Sequence, residues 1–442
     1  MSNYFTEERQ LISFDKSFST NIHISEPDKY KLLEEISKRS EKIINIGSNL
    51  SYSPLGFSKD SLSIKLKKFN RILEFNEKNK EITVEAGITL IEFLNFSLKY
   101  NLWIPQLPGY PTITIGGAVA VNAHGKSCAI HGTIRKSIKK ILLFHKDHGW
   151  INLSEKENKE LFDLTIGGLG LTGTIVSVTL NLTSLENSEF VTRKKIVKSI
   201  EESKRIILED SKKLSYVYTW NRADNLKNFG EGIVFQNEVE SNSKTFKEFK
   251  ETKNHFNPSI IPLWNKYSIK FVNSVFLAIN RFSKKEKKEN FINVIFPFYG
   301  KERYFNFFGK RGFIESQLLI HESNLELFID EFKRLVKNYE PTITLFSLKN
   351  MRGQQKFLRF EDNKICITFD YVNNKKNLDF MSMVDKLYDK YNILPSIIKD
   401  SRISKEVLAS SYKEELSSFV AGIYKFDKKR IYQSEISNRL EL

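Results

Sequence analysis

Residues 107–126 read LPGYPTITIGGAVAVNAHGK, a stretch in which four glycines interrupt small and apolar residues. Two more glycine-bearing loops lie in the same half of the chain, GSNLSY at 47–52 and GGLGLTG at 167–173. Glycine lets backbone N–H groups approach a ligand closely, and consecutive free N–H groups form concavities that bind anions such as pyrophosphate. Each loop alone is ordinary turn chemistry. The order and spacing of the three favour one extended, phosphate-bearing cofactor.

Composition limits the class of protein. The chain has 442 residues, of which 40% are apolar and 13% aromatic, so it is too apolar for a disordered or fibrous protein. This length suggests about two to four domains. Two cysteines, Cys128 and Cys366, exclude a disulfide scaffold and fit a reducing compartment. Because the first residues lack the apolar core of a signal peptide and no run of about 18 apolar residues occurs, we expect a soluble, cytoplasmic protein.

The pattern of apolar residues indicates an α+β fold, since the strands do not alternate with helices as in a doubly wound sheet. In the first half, strands are predicted at 42–46, 61–66, 82–86, 138–144, 150–153 and 174–182, and helices at 89–100 and 155–164. From residue 184 to 390 the texture changes to fewer glycines and more aromatics. Here strands are predicted at 216–220, 312–320 and 364–369, and helices at 325–337 and 378–391. We therefore predict two closely packed α+β domains.

Two patterns in the first domain are rejected as sites. Residues 168–173 have the G-x-G-x-x-G spacing of a dinucleotide fingerprint, but a predicted helix precedes them and a β-branched run follows. That order is the inverse of what such a site requires. His124, Cys128 and His131 place three potential metal ligands within eight residues, without an obvious fourth ligand or the usual paired spacing. We expect no bound metal.

The basic balance is ambiguous. The 69 Lys and Arg residues exceed the 53 Asp and Glu residues by 16, and a lysine-rich solvated surface is the simplest explanation. The run KKEKK at 284–288 is predicted to be an exposed loop. Before it, residues 263–281 place apolar side chains at helical spacing, namely Trp264, Tyr267, Phe271, Val275, Phe276 and Ile279. We predict that this amphipathic helix packs on the second domain, with contact to an anionic membrane as the alternative.

Residues 42–182 resemble the FAD-binding domain of the vanillyl-alcohol oxidase / p-cresol methylhydroxylase (PCMH) superfamily. The resemblance rests on LPG at 107–109, TIGG at 114–117, HGK at 124–126, ELF at 160–162 with the glycine run at 167–173, KDSR at 399–402 and RLEL at 439–442. Within the superfamily, the match is closest to oxidases of polyprenyl-phosphate-linked pentoses. It implies a two-subdomain PCMH-type FAD-binding domain at 1–183, an α+β substrate domain at 184–390, and a C-terminal segment at 391–442 that closes on the flavin.

The resemblance also implies which residues hold FAD. The loop 45–54 would cradle the pyrophosphate, the next two glycine segments would follow the phosphates and isoalloxazine, and the last would meet the adenosine side. The implied residues are Asn45, Ile46, Gly47, Ser48, Asn49, Leu50, Ser51, Tyr52, Gly109, Thr114, Ile115, Gly116, Gly117, Val121, Asn122, Ala123, His124, Gly125, Gly173 and Ile175, with Lys399 from the C-terminal segment. Ile46, Asn49 and Ser53 replace the family's usual Arg, Gly and Gly. Because residues 45–54 contain no histidine, the FAD is expected to be non-covalent.

For catalysis, the resemblance implies that Lys399 reaches the N1/C2 carbonyl edge of the flavin or the substrate, where its ammonium stabilises negative charge. Gln317 and Cys366 match pocket residues beside the flavin face, and with His124 and Lys399 they form the predicted catalytic set. The predicted substrate residues are Tyr52, Lys126, Trp220, Glu315, Gln317, Lys364 and Cys366. Glu315 and Lys364 stand where the relatives carry amides, so the charge of the pocket differs and the same sugar is not assumed.

These inferences predict an FAD-dependent oxidoreductase that oxidises a secondary alcohol of a sugar or polyol by hydride transfer to flavin N5. A polyprenyl-phosphate-linked pentose is the first choice of substrate, and an aldonolactone or alditol is the alternative. The resemblance further implies a partner reductase for the keto product and peripheral contact with the inner membrane face. A basic nucleic-acid-binding protein is the other alternative, but only charge supports it, and we expect no nucleic acid.

Overall fold

The computed structural model describes residues 6–185, 189–240, 249 and 262–442. Helices and strands are mixed along the described chain, and the predicted α+β class is confirmed. The division into domains at 183/184 and 390/391 stays a prediction.

Two sheets build the first part of the chain. One has the order β1 (Glu7–Ile12), β2 (Ser19–Ser25), β4 (Leu62–Lys65), β3 (Ile43–Ile46), and the other has the order β5 (Ile72–Asn76), β6 (Glu81–Glu85), β10 (Thr174–Asn181), β8 (Ile138–His145), β9 (Gly149–Ser154). Short strands β7 (Leu102–Trp103) and β11 (Thr183–Ser184) pair separately. The helices are α1 (Tyr30–Arg39), α2 (Leu90–Ser97), α3 (Ile115–Ala120), α4 (Cys128–His131) and α5 (Lys159–Thr165).

Local sequence explains where these elements begin and end. Thr89 starts α2 as an N-cap whose side chain accepts from the N–H of Glu92, while the Glu92 carboxylate accepts from the N–H of Thr89. Residues 168–173 link α5 to β10, as the rejection of a Rossmann site requires. The apolar faces of the second sheet and of α2 form one core with buried Phe93, Phe144 and Phe162.

The second part has two four-stranded sheets. Their orders are β13 (Tyr216–Asn221), β14 (Gly232–Val239), β12 (Glu189–Val197), β15 (Glu286–Asn290), and β17 (Ile343–Met351), β18 (Lys364–Val372), β16 (Phe313–Ile320), β19 (Leu394–Pro395). The helices are α6 (Ile200–Asp210), α7 (Lys266–Phe282), α8 (Phe291–Ile295), α9 (Arg303–Asn306), α10 (Leu325–Tyr339), α11 (Lys375–Lys390), α12 (Lys405–Phe426) and α13 (Glu435–Leu440).

Strand β16 separates a core from a polar face. Its residues alternate, so Ile314 and Leu318 pack in a core with Phe332 of α10 and Phe380 of α11. Glu315 and Gln317 therefore point to the opposite face of the sheet. That face turns towards the glycine loops of the first part.

The lysine-rich run at 284–288 corrects the sequence interpretation, because its second half is strand β15 and not a loop. β15 pairs with β12 in antiparallel register, and Arg193 bridges to Glu286 at 2.9 Å. It is an edge strand, where charged side chains discourage pairing with other chains. The mixed charges of the run at 284–288 therefore lie largely on an edge strand.

After β19 the chain returns to the first part. Ser53 donates from its N–H to the carbonyl of Ile398 at 3.1 Å and from its hydroxyl to that of Ile397 at 2.7 Å. Ser316 of β16 donates to Asp400 at 2.6 Å. The segment that carries Lys399 is therefore fixed to both parts of the molecule.

Arg402 completes this anchoring. Its guanidinium donates to Asp385 of α11 at 2.8 Å, to Asp400 at 3.0 Å and to the hydroxyl of Tyr371 at 2.8 Å. In the KDSR motif at 399–402, Asp400 and Arg402 therefore hold the segment that carries Lys399 in place.

We expect Arg402→Met to lower the free energy of unfolding by about 3–5 kcal/mol, because it leaves the buried carboxylate of Asp400 and the partly buried carboxylate of Asp385 without their cation. Denaturant unfolding of the purified protein measures this change. Lys405→Met is the control, since its pair with Glu441 is about half exposed and should contribute little. Equal stability of the two variants would contradict the anchoring role.

Candidate active site

One cavity of about 920 Å³ lies between the glycine loops and the sheets of the second part, within the usual range for a ligand site. It is walled on one side by the loops after β3 and around α3, and on the other by β16, β17, β18 and the segment after β19. The predicted residues that line it are Asn45, Ile46, Gly47, Ser48, Asn49, Leu50, Ser51, Tyr52, Gly109, Thr114, Gly116, Gly117, Val121, Ala123, His124, Gly125, Lys126, Gly173, Ile175, Trp220, Glu315, Gln317 and Lys399.

Four predicted residues do not line the cavity. Ile115 and Asn122 are buried behind it. Lys364, at the start of β18, bridges to Asp362 at 3.0 Å and donates to the carbonyl of Asn392. Cys366 is fully buried in an apolar cluster, and burial raises the pKa of its thiol to about 11. The strand has the predicted orientation, but these two residues lie beyond the end of the cavity.

The loop after β3 presents free backbone donors. No N–H from residue 48 to residue 52 donates to an acceptor in the described part of the chain. Asn45 fixes the base of the loop, since its side chain donates to the carbonyl of Gly173 at 3.2 Å and accepts from Thr174 at 2.8 Å. Consecutive N–H groups facing a cavity fit the pyrophosphate of a dinucleotide.

Glycine serves two different purposes along the wall. A Cβ at Gly116 would lie 2.7 Å from that of Ala86, so this position must be small for α3 to pack. A Cβ at Gly109 would meet no protein atom within 4 Å, so at Gly109 packing does not require a glycine. Space kept open at Gly109 fits a bound cofactor.

The sheet side of the cavity carries a polar cluster around Lys399. Its ammonium lies 3.2 Å from Oε1 of Glu315 and 3.7 Å from the centre of the Tyr52 ring. Gln317 donates from Nε2 to the same Oε1 at 2.9 Å. The geometry brings together four residues that the sequence predicted separately.

Sequence reasoning missed the residues behind this cluster. Asp370 of β18 stands directly opposite Glu315 in the β16–β18 ladder, and its Oδ2 accepts from the hydroxyl of Tyr304 at 2.8 Å. Tyr304 also shares a 2.8 Å hydrogen bond with Thr344. Burial, followed by the charge of Glu315, raises the pKa of Asp370 well above its ordinary value. Only the strand register, which no motif reveals, pairs Glu315 with Asp370.

Burial and nearby lysine charges lower the pKa values of two basic side chains in the cavity wall. Burial, together with the charges of Lys349 and Lys399, lowers the pKa of His124 well below its ordinary value, so its imidazole is neutral. Burial and the charges of Lys349 and Lys301 also lower the pKa of Lys126 well below its ordinary value. Lys126 donates to the carbonyl of Val294 at 2.9 Å.

The sheet β13-β14-β12-β15 forms a further wall that was not predicted apart from Trp220. Its cavity-lining residues include Thr192, Lys194, Tyr218 and Asn237. Lys194 donates to Asn280 of α7 at 2.8 Å, which places the helix over this face. The polar alternation of β12 is the signal that could have revealed this wall.

The three residues considered as metal ligands have three different surroundings. Cys128 donates from Sγ to the carbonyl of Asn350 at 3.2 Å, and Nε2 of His131 shares a 3.2 Å hydrogen bond with Ser215. His124 faces the cavity. Among the described residues, no group of three or more His, Cys, Asp or Glu side chains could hold a metal ion.

Comparison with known proteins agrees with this geometry. Residues 25–153 match the family model described as an FAD binding domain. The chain is 21% identical over 460 residues to decaprenylphosphoryl-beta-D-ribose oxidase of Mycolicibacterium smegmatis, covering 99% of this chain and 98% of that protein.

Two further relatives match only part of this chain. The chain is 27% identical to the mitochondrial L-galactono-1,4-lactone dehydrogenase of Arabidopsis thaliana and 28% identical to the L-gulonolactone oxidase of Mus musculus. The first match covers 43% of this chain and 31% of that relative, and the second covers 32% of each.

Residues 25–153 therefore form an FAD-binding domain. The chain is an FAD-dependent oxidoreductase, and the predicted cofactor and enzyme class are confirmed.

We expect Gly109→Val to fold but to bind FAD at least tenfold more weakly, a loss of about 1.4 kcal/mol, because its side chain enters the cavity without striking protein. Titration of the apoprotein with FAD measures this, with circular dichroism as the test of folding. Gly109→Ala, which adds one methyl group, should show a smaller loss. Full affinity in folded Gly109→Val would remove this loop from the FAD site.

Proposed function

We propose that the chain oxidises a secondary hydroxyl of a pentose carried on polyprenyl phosphate, producing a ketone, with non-covalently bound FAD. One observation carries the proposal. A single cavity extends from the glycine loops past Lys399 to the underside of α7. The similarity to an oxidase of a polyprenyl-linked ribose over nearly the whole chain supports the same substrate class. The keto product would then require a reductase.

Bound FAD supplies the two-electron acceptor for the carbon–hydrogen bond. Residues 48–52 would hold its phosphates through their free N–H groups. Lys399 would place its ammonium beside the charge that develops during reduction. Gln317 and Glu315 line the same region and would orient the hydroxyls of the sugar.

The outer face of α7 supports a lipid-linked substrate. Ile269 and Leu277, which the sequence analysis did not name, pack inwards. Tyr267, Phe271 and Ile279 were predicted to pack on the second domain, and this was wrong, since they are 79%, 71% and 61% exposed. Phe282 is 91% exposed. Val272 and Phe276 belong both to the cavity wall and to the exposed surface, so the cavity reaches solvent under this helix.

The chemistry of this face favours an anionic membrane surface. The exposed lysines Lys266, Lys270, Lys284 and Lys285 flank the aromatic side chains. Aromatic residues insert at the acyl boundary while lysines meet lipid headgroups. We propose that α7 rests on the membrane and admits the lipid-linked sugar beneath it. No helix among the described residues is long and apolar enough to cross a membrane.

Product analysis tests the proposed function. Anaerobic incubation with polyprenyl-phosphate pentoses should bleach the flavin and yield one keto sugar per flavin reduced. Aldonolactones and alditols, the substrates of the alternative, should reduce it far more slowly. Faster reduction by a lactone would replace the proposed substrate class.

Removal of Lys399 tests its role at the flavin. We expect Lys399→Ala to keep FAD and fold while anaerobic reduction slows by about 10²–10³, as for loss of one oxyanion donor. Lys399→Arg should recover only part of the rate, because guanidinium lacks the compact ammonium geometry. Stopped-flow reduction measures these rates. A wild-type rate for Lys399→Ala at saturating substrate would show that the assignment is wrong.

Two substitutions test α7. We expect the double variant Phe271→Ser, Phe282→Ser to bind phosphatidylglycerol vesicles at least about tenfold more weakly, since burying one such side chain contributes about 1.5–3 kcal/mol. Its activity on a short-chain substrate analogue should be unchanged. Leu327→Ser, an exposed apolar position on α10, is the control. Undiminished vesicle binding by the double variant would exclude α7 as the contact.

The mode of flavin attachment has a direct test. Because residues 45–54 contain no histidine, acid precipitation should release all flavin into the supernatant. Absorbance of the two fractions measures the release. Flavin retained on the denatured protein would establish a covalent bond.

A further inference from the structure

Two carboxyl side chains face each other in the wall of the cavity. Glu315 of β16 and Asp370 of β18 are directly opposed in an antiparallel ladder, and they are 5% and 1% exposed. Opposed residues have Cβ atoms about 4.5–5.5 Å apart, and like charges in this position destabilise the sheet. A second buried negative charge needs its own partner or a proton.

The hydrogen bonds distribute charge unequally between them. Glu315 has a cation, since Lys399 lies 3.2 Å from its Oε1, and it also accepts from Gln317. Asp370 accepts from Tyr304 through Oδ2, whereas its Oδ1 has no hydrogen-bond donor among the described residues. The neighbouring group on that side is the carboxyl of Glu315, and burial with the Glu315 charge raises the pKa of Asp370. Asp370 therefore holds a proton, and Glu315 is the member of the pair with a cation beside it.

Glu315 is also the member that a ligand can reach. Glu315, Gln317 and Lys399 line the cavity, whereas Asp370 lies behind them. Gln317 is 6% exposed, and its Oε1, next to His124, makes no hydrogen bond of normal geometry with any other described residue. A buried acceptor of this kind beside the carboxyl group of Glu315 fits the hydroxyl groups of a sugar.

The other titratable groups near this point are poor proton acceptors. The His124 imidazole has a pKa well below its ordinary value, for the burial and lysine charges given above. Burial, followed by nearby acidic groups, raises the pKa values of the Tyr52 and Tyr304 hydroxyls well above their ordinary value. Glu289, another carboxylate on the wall, is paired with Lys287 at 2.7 Å in the distant sheet.

Resting on the proposed function, we propose that Glu315 is the proton acceptor for the substrate hydroxyl, and that Asp370 is a positioning residue that keeps one proton within the pair. The O–H bond breaks and its proton goes to Glu315, while the hydrogen of the C–H bond leaves with both bonding electrons as a hydride, which bound FAD would accept, and the carbonyl forms. The Glu315–Asp370 pair then holds two protons. One returns to water when the ketone leaves.

The proton can be observed without turnover. Infrared spectra of the holoenzyme in H₂O and D₂O should contain the C=O band of a protonated, buried carboxyl that Asp370→Asn removes. Glu331→Gln is the control, because Glu331 is a carboxylate paired with Lys390 on the opposite face of the same sheet. An unchanged band in Asp370→Asn would overturn the shared proton.

The role of Glu315 is tested by reduction kinetics with the sugar that reduces the wild type. Glu315→Gln should keep FAD while reduction slows by about 10²–10⁴, the usual contribution of a general base. A general base that already holds a proton cannot accept another, so the wild-type rate should show an acid limb, and this limb should vanish in Glu315→Gln. The groups that face Glu315 are Lys399, Asp370, Tyr304, Tyr52 and Gln317. A change in the pH at which the rate falls must therefore be interpreted in terms of these groups.

Asp370 variants separate positioning from folding. Asp370→Leu removes the donor that stabilises ionised Glu315, so the acid limb should move to higher pH, and Asp370→Asn, whose amide still donates, should restore it. A wild-type rate for Glu315→Gln, or an unmoved limb in Asp370→Leu, would overturn the proposal while leaving the proposed function intact. A wild type that no sugar reduces would refute the proposed function, and the infrared band would still decide the shared proton.

Discussion

The ion pair between Lys399 and Glu315 is the contact on which the architecture of the site depends. Lys399 lies on a segment about 350 residues after the first glycine loop, at 47–52, while Glu315 lies on the sheet of the second part. Ser53 and Arg402 hold that segment against both neighbours. Without these anchors Lys399 would not be held beside Glu315 and Tyr52 in the cavity wall.

The sequence was most informative where local chemistry is self-contained. The glycine loops, the helix at 89–100 and the strands at 138–144 and 150–153 were predicted from local sequence, and the structure has α2, β8 and β9 at these places. The KDSR motif predicted a return of the chain to the first domain. In the structure its Asp and Arg are the anchors, so the motif combines function with support.

The sequence did not predict how far the cavity extends along the strands or which residues face each other between strands. The resemblance to the family placed Cys366 and Lys364 in the pocket, but it does not say where the cavity of this chain ends. The partner of Glu315 depends on register between strands about 50 residues apart, which no pattern in either strand specifies. The edge strand β15 resembles a loop in sequence because edge strands and loops are both rich in charge.

Several of the lysines behind the net positive charge lie in two places in the structure. Lys126, Lys194, Lys301 and Lys349 line one cavity, and further lysines flank the exposed face of α7. Both positions suit phosphate groups, one on a cofactor or substrate and the other on lipid headgroups. The positive charge thus supports the same substrate class as the cavity.

The reduction potential of the bound flavin tests the central claim that the C-terminal segment places a cation at the flavin. Loss of a charge-assisted contact of about 1.5–3 kcal/mol corresponds to about 30–60 mV for a two-electron couple. Lys399→Ala should therefore lower the potential by about 30–60 mV, with Lys405→Ala unchanged. A potential identical to that of the wild type would contradict the placement of Lys399 beside the flavin.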